Sequence, residues 1–266
     1  MDQRQFTFIE TDDGSPTLRI LNSHSIDQTP CSTSPHLQSS EAMHSLRGAF
    51  AETCYIYGSA IEYCLLNDFP PKILSLGLGL GYVEILSAGL ILKHVDRMES
   101  HIQKTFMEQV RGLSFELVPQ LRQWFVDWLN DSESCPVEFK LAYNDILTRT
   151  SLHVDFEATK IKIFLKQLIT SQAWEIQAAL GETTLFTERF ACICFDAFSS
   201  NSSPDLWSAS FLTSFLSNAC TEQAILSTYA CTGNLKRTLK TLGFAILPKN
   251  GFSGKRESTL AIRNSG

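Results

Sequence analysis

Two periods organise the apolar positions of this chain. From Pro70 onward, short apolar runs alternate with stretches whose apolar residues recur near every 3.6 positions, which predicts strands alternating with helices. The predicted strands are KILSL (72–76), HVDRMES (94–100), PVEFKLAYND (136–145), RFACICFDAF (189–198) and EQAILSTYA (222–230), with a terminal pair FAILPK (244–249) and ESTLAIR (257–263). Helices are predicted over about 102–130, where Trp124, Phe125, Trp128 and Leu129 form a core stripe, and over 155–182, with Ile161, Phe164, Leu165, Leu168 and Ile169. Two more follow, PDLWSASFLTSFLSNA (204–219), with Pro in its first turn, and NLKRTLKTLG (234–243), closed by Gly243. Strands joined by helices imply parallel crossovers and a doubly wound α/β sheet; the last two strands have no helix between them and form an antiparallel edge pair.

The N-terminal region has a different rhythm. Residues 5–21 read as two short strands around Asp13-Gly14, a pair suited to a tight turn. Residues 22–40 are rich in Ser, Thr and Pro and read as a loop, and order resumes from Glu41, helix-like or part strand. The expected organisation is a β-rich N-terminal extension over 1–69 and a main domain over 70–266, with a helical insertion at about 150–190.

Composition narrows the class. The chain has 266 residues, 44% apolar and 19% charged, enough to bury a core without disulfide or metal staples. Its eight cysteines form no CxxC and accompany no paired His, so reduced thiols, no metal site and a cytoplasmic setting are expected. The N-terminus has no signal-peptide pattern, and the longest apolar run is too short to span a bilayer. The formal net charge of −6 argues against a generally basic nucleic-acid binder, but the charge is uneven. Residues 231–266 carry seven basic side chains and one acid, Glu257, a net of +6 against −12 for the rest. That asymmetry suits either an anionic partner on the C-terminal side or a solvated basic face.

The candidate chemistry gathers at predicted strand ends. LSLGLGLGY (74–82) places Gly77, Gly79 and Gly81 at alternate positions between a strand and a helix. This is not the GxGxxG spacing of dinucleotide sites, but small residues let a ligand approach the backbone. Glu99 ends the second predicted strand, 22 residues beyond Gly77, where an acid can accept from both ribose hydroxyls. Asn144-Asp145 ends the third, and Asp145 is placed to meet an adenine amino group. Asp196 ends the fourth. Open parallel sheets bind ligands beyond the carboxyl ends of their strands, so these groups are expected in one crevice. The alternative is that the acids cap turns. This arrangement resembles the class I S-adenosylmethionine-dependent methyltransferases.

A narrower resemblance covers most of the chain except 22–40 and 150–190. TDDGSPTLR (11–19), EAMHSLRGAFAET (41–53), LSLGLGLGY (74–82), FDAFSSNSSPDLW (195–207), STYACTGNLKRTLKTLGF (227–244) and GFSGKRESTLAI (251–262) resemble, in order, motifs of the MnmC-like tRNA methyltransferases. The resemblance implies a stand-alone methyltransferase that uses S-adenosylmethionine to methylate an aminomethyl group on wobble uridine. It implies that Gly77, Gly79 and Gly81 line the methionine part of the cofactor, that Glu99 holds the ribose, and that Asn144 and Asp145 lie at the adenine. It makes Asp196 the residue that handles the amine. For the tRNA anticodon loop it implies base contacts by Phe198 and Tyr229, with Trp207 and Phe252 as further aromatic candidates. Phosphate contacts would come from Lys236, Arg237, Lys255 and Arg256. The chain departs from the family pattern at Ala197, Ser200 and Ser203, at Leu80 and Val83 in the glycine turn, and at Lys236. These departures leave two alternatives standing, the same fold acting on another amine acceptor and a binding domain without activity.

Overall fold

A hairpin and a seven-stranded sheet account for the strands of the computed structural model, which describes residues 5–21, 42–178, 180–181, 184–197, 203–254 and 257–264. The hairpin pairs β1 (Gln5–Glu10) with β2 (Pro16–Leu21) around Asp13-Gly14. Asp13 fixes more than the turn. Its carboxylate accepts from the Ser15 N–H and, 38 residues away in sequence, from the Ala51 N–H at 3.0 Å, which ties the hairpin to the first turn of α1 (Ala49–Thr53). A π-helical segment, Cys54–Gly58, joins α1 to α2 (Ser59–Leu66).

The sheet begins with β3 (Lys72–Leu76), followed by α3 (Tyr82–Asp96) and α4 (Ser100–Gln109). Next come β4 (Arg111–Phe115), three helices, α5 (Pro119–Leu129), α6 (Val137–Val154) and α7 (Ala158–Thr170), and the edge strand β5 (Trp174–Gln177). The other half holds β6 (Phe190–Phe195), α8 (Ala209–Ala219), β7 (Cys220–Thr228), α9 (Gly233–Thr241), β8 (Ala245–Leu247) and β9 (Thr259–Arg263). The strand order is β5-β4-β3-β6-β7-β9-β8, with β9 antiparallel to both its neighbours and the other pairs parallel. This is the expected doubly wound sheet with an antiparallel edge pair.

Alternation along each strand sends side chains to two cores. Ile73, Cys192, Cys194 and Ile225 join the core under α2, α3 and α5–α7, while Leu74, Leu76, Ile193 and Phe195 join the one under α8 and α9. From β3 the chain winds one way to β4 and later the other way through β6. That reversal opens the crevice at the carboxyl ends of β3 and β6.

Two predicted strands are helix instead. HVDRMES lies in the last turn of α3 and the bend after it, because no Gly or Pro between Gly89 and Asp96 stops the helix. PVEFKLAYND is the start of α6. Its alternating Val137, Phe139, Leu141 and Tyr143 imitate a strand, yet Val137 and Leu141 are 68% and 64% exposed, and only Phe139 and Tyr143 are buried. The true second and third sheet strands, β4 and β5, lie inside stretches predicted as helix. The extra helices α5–α7 therefore cross between the second and third sheet strands, not between the third and fourth. No described helix is long and apolar enough to cross a membrane.

Candidate active site

The crevice is built from three strand ends. The Asp196 N–H donates to the Leu76 carbonyl at 3.0 Å, which sets the end of β6 directly beside the glycine turn. Gly77 has φ +93°, and a Cβ on it would lie 2.6 Å from the Asp196 carbonyl oxygen, so only glycine fits this junction. On the other side, the Gly77 and Leu78 N–H groups donate to the Phe115 carbonyl at 3.0 and 3.1 Å. The Gly79 N–H reaches the Glu116 carboxylate at 3.0 Å, and the Val118 N–H meets the second carboxylate oxygen at 2.7 Å. Gly81 stands further back. It caps the N-terminus of α3, and a Cβ there would collide with the Phe125 ring.

These groups border a cavity of about 490 Å³. Gly77, Gly79, Glu116 and Asp196 line it, and Leu117, Val118, Ala178 and Leu180 give it an apolar end. The N-terminal region closes the opposite wall with Arg19, Met43, His44 and Glu52. Glu52 is buried and accepts from the Ser45 N–H at 2.7 Å, while His44 shares a 3.1 Å hydrogen bond with Thr17 and packs on the Tyr82 ring.

The acid beyond the second sheet strand is Glu116, not Glu99. Glu99 precedes α4, its side chain is 79% exposed, and it pairs with His101 at 3.3 Å. The correction follows from the misplaced strand, since α3 runs on through HVD and the sheet resumes only at Arg111. The available signal was the run GLSF (112–115) followed by Glu116, which repeats the pattern of a strand with a carboxylate just beyond its end.

Asn144 and Asp145 are likewise away from the crevice, because they sit in mid-helix on α6. Asn144 accepts from the Trp128 indole N–H at 2.9 Å. Asp145 pairs with Arg149 at 2.6 Å, and Arg149 in turn donates to the Asp13 and Gly14 carbonyls, so this acid braces the hairpin turn. The third sheet strand ends instead at Gln177, followed by the apolar Ala178 and Leu180.

Asp196 does lie in the cavity wall. Tyr57, buried in the π-helical segment, donates its hydroxyl to the Asp196 carboxylate at 2.6 Å. Burial pushes the Tyr57 hydroxyl well above its ordinary range, and the Asp196 charge adds to the shift, so the phenol remains a donor. Tyr229 also lines the cavity, with its hydroxyl on the Ala197 carbonyl at 2.9 Å. Sequence reasoning did not single out Tyr57, since its distance from Asp196 along the chain, 139 residues, leaves no local signal.

The C-terminal basic set is partly neutralised. Lys236 pairs with Glu257 at 2.7 Å on the surface, and Arg237 donates to Asn234 at 2.7 Å. Trp207 is a core residue, 4.9 Å from Phe195 between ring centres, which removes it from the candidate base contacts. Phe252 packs on Tyr55 away from the cavity lining. Phe198, Ser200, Lys255 and Arg256 lie outside the described residues.

The chain is similar to known methyltransferases. Residues 137–264 match a family model described as S-adenosyl-L-methionine-dependent methyltransferase. The tRNA 5-methylaminomethyl-2-thiouridine biosynthesis bifunctional protein MnmC of Campylobacter hominis is 23% identical over 221 residues, which cover 83% of this chain and 30% of that protein. The chain thus spans about 30% of the length of this curated relative. The crystal structure of MnmC2 from Aquifex aeolicus matches with a TM-score of 0.58 at 20% identity, covering 98% of this chain and 71% of that chain, and shares its fold. The cofactor of the matched family is S-adenosylmethionine, and the crevice suits it. The cavity volume is that of a small-molecule site, the glycine turn leaves backbone without side chains, and one carboxylate stands beside an apolar slot.

Proposed function

We propose that this chain is an S-adenosylmethionine-dependent methyltransferase of the MnmC-like family, and that it methylates the aminomethyl nitrogen of a modified wobble uridine in tRNA. The observation that carries this reading is the meeting of the glycine turn, Glu116 and Asp196 around one cavity.

Bound S-adenosylmethionine would supply the electrophilic methyl group. Gly77 and Gly79 would hold its methionine part along bare backbone. Glu116 would accept from the ribose hydroxyls, its plane already set by the Gly79 and Val118 N–H groups. Leu117, Val118, Ala178 and Leu180 would enclose the adenine, in place of the carboxylate expected at Asp145. Asp196 would accept a proton from the incoming amine, orient its N–H bonds and stabilise positive charge growing on nitrogen. Fixing amine and donor side by side contributes by proximity. Tyr229, Arg237, Lys255 and Arg256 would meet the RNA, with phosphate contacts that weaken as salt rises.

A second reading, the same transfer to a different amine, is favoured by the Lys236–Glu257 pair, which removes one cation from the proposed RNA face. The purified protein, S-adenosylmethionine and tRNA bearing 5-aminomethyluridine separate the two. Nucleoside mass spectrometry should show a gain of one methyl on that uridine. No gain on this tRNA, with the cofactor still bound, would overturn the tRNA reading in favour of the second.

A further inference from the structure

The Tyr57 hydroxyl and the Asp196 carboxylate are joined across the fold by a device unlike the rest of the helical layer. Residues 54–58 are wound as a π-helix, a form frequent at functional sites because it re-aims a side chain and frees backbone carbonyls. The carbonyls here are taken up from outside the helix. Ser227 on β7 donates to the Ile56 carbonyl at 2.6 Å. Lys249, in the segment after β8, donates to the Tyr55 carbonyl and to Ser59 Oγ, each at 2.7 Å. Burial pulls the Lys249 ammonium down to about 8. The two anchors hold the segment in the register that sets Tyr57 on Oδ1 of Asp196.

We propose that Tyr57 is a positioning residue for the transfer: its hydroxyl holds the Asp196 carboxylate in one orientation and in its ionised form, ready for the amine. The proposal rests on the reading of Asp196 given above. A hydrogen bond to the ionised form of a carboxyl favours that form and lowers its pKa, so removing the donor raises it. Other titratable groups face the same space. Among the described residues they include Cys194 below on β6, Tyr229 beyond β7, Glu116 beyond β4, Glu52 on α1, Arg19 and His44 from the N-terminal region, and Lys249 against the π-helical segment. The substitution Tyr57→Phe leaves all of these in place and deletes one oxygen.

The test is a carbon-13 titration of the Asp196 carboxyl in the full chain, assigned as the signal missing from Asp196→Asn, together with kcat against pH. In Tyr57→Phe the carboxyl should titrate about one pH unit higher, a tenfold change in its ionisation constant. The acid limb of kcat should move with it, leaving a deficit at low pH that closes as pH rises, with S-adenosylmethionine affinity unchanged. If Tyr57→Phe melts early, Ser227→Ala is titrated instead and should move the carboxyl in the same direction by less. An unmoved carboxyl, or a loss of kcat that is equal at every pH, overturns the role of Tyr57. Full turnover in Asp196→Asn overturns the reading of Asp196 itself, and the two failures are read from different variants.

Discussion

The two halves of the sheet contribute differently to the crevice. On one side, β6 is an unbroken apolar run, FACICF, buried along its length and ending on Asp196. On the other, β4 is RGLSF and β5 is WEIQ, two short strands held by a buried polar chain. The Trp174 indole donates to Ser114 Oγ at 2.8 Å, and Ser114 donates to Glu84 on α3 at 2.6 Å. Gly112 leaves the space that the Trp174 ring fills, since a Cβ there would fall within the ring. The β6 half is specified by hydrophobic burial, which is visible in a linear pattern. The β4–β5 half is specified by one large-to-small fit and one hydrogen-bonded chain, which are visible only in three dimensions.

The comparison can be broken at its chemical end first. Asp196→Ala should lower the methyl-transfer rate by about 10²- to 10⁴-fold, the usual range for a positioned proton acceptor. Single-turnover kinetics at saturating cofactor checks this, and a loss under threefold would remove Asp196 from the reaction. On the other half, Gly112→Ala should destabilise the fold by about 1–3 kcal/mol or more, because the Trp174 ring has no room to retreat. Urea unfolding reads that cost.

Glu84 sharpens the contrast through pH. Burial pushes its carboxyl from the ordinary 4.5 up to about 7, against the opposing hydrogen bond from Ser114. Between those values the folded chain keeps a proton that the unfolded chain releases, so stability falls as pH rises from 4.5 to 7 and stays lower above. Glu84→Gln, which keeps an acceptor for Ser114, should flatten that slope and gain roughly 1–3 kcal/mol at pH 8. An unchanged slope in unfolding curves between pH 5 and 8 would discount Glu84. The smallest effect is expected at Asp145→Asn, which loosens the Arg149 brace on the hairpin turn by about 1 kcal/mol and leaves cofactor affinity alone.

Legibility followed the same division. β3, β6, β7, the terminal antiparallel pair and the Asp13-Gly14 hairpin were readable, because each is an apolar run or a turn with a local signature. The glycine turn and Asp196 came with them. α6 was not readable as helix, since Val137 and Leu141 place apolar side chains on its solvent face and produce a false alternation. Reading HVDRMES as a strand places β4 inside a predicted helix and hides Glu116 with it. Glu116 and the apolar end of β5 line the cavity, and Glu99 and Asp145 do not. Tyr57 had no signal, because a contact spanning 139 residues depends on the whole fold.

If the cavity takes S-adenosylmethionine as proposed, its acid wall is Glu116 after β4, and Glu99 and Asp145 stand outside it. Isothermal titration of S-adenosylmethionine into the wild type, Glu116→Gln and Glu99→Gln tests it directly. Loss of a charged acceptor for two hydroxyls should weaken binding by about 10- to 100-fold in Glu116→Gln, and Glu99→Gln should match the wild type. Wild-type affinity in Glu116→Gln, or a matching loss in Glu99→Gln, would contradict the account.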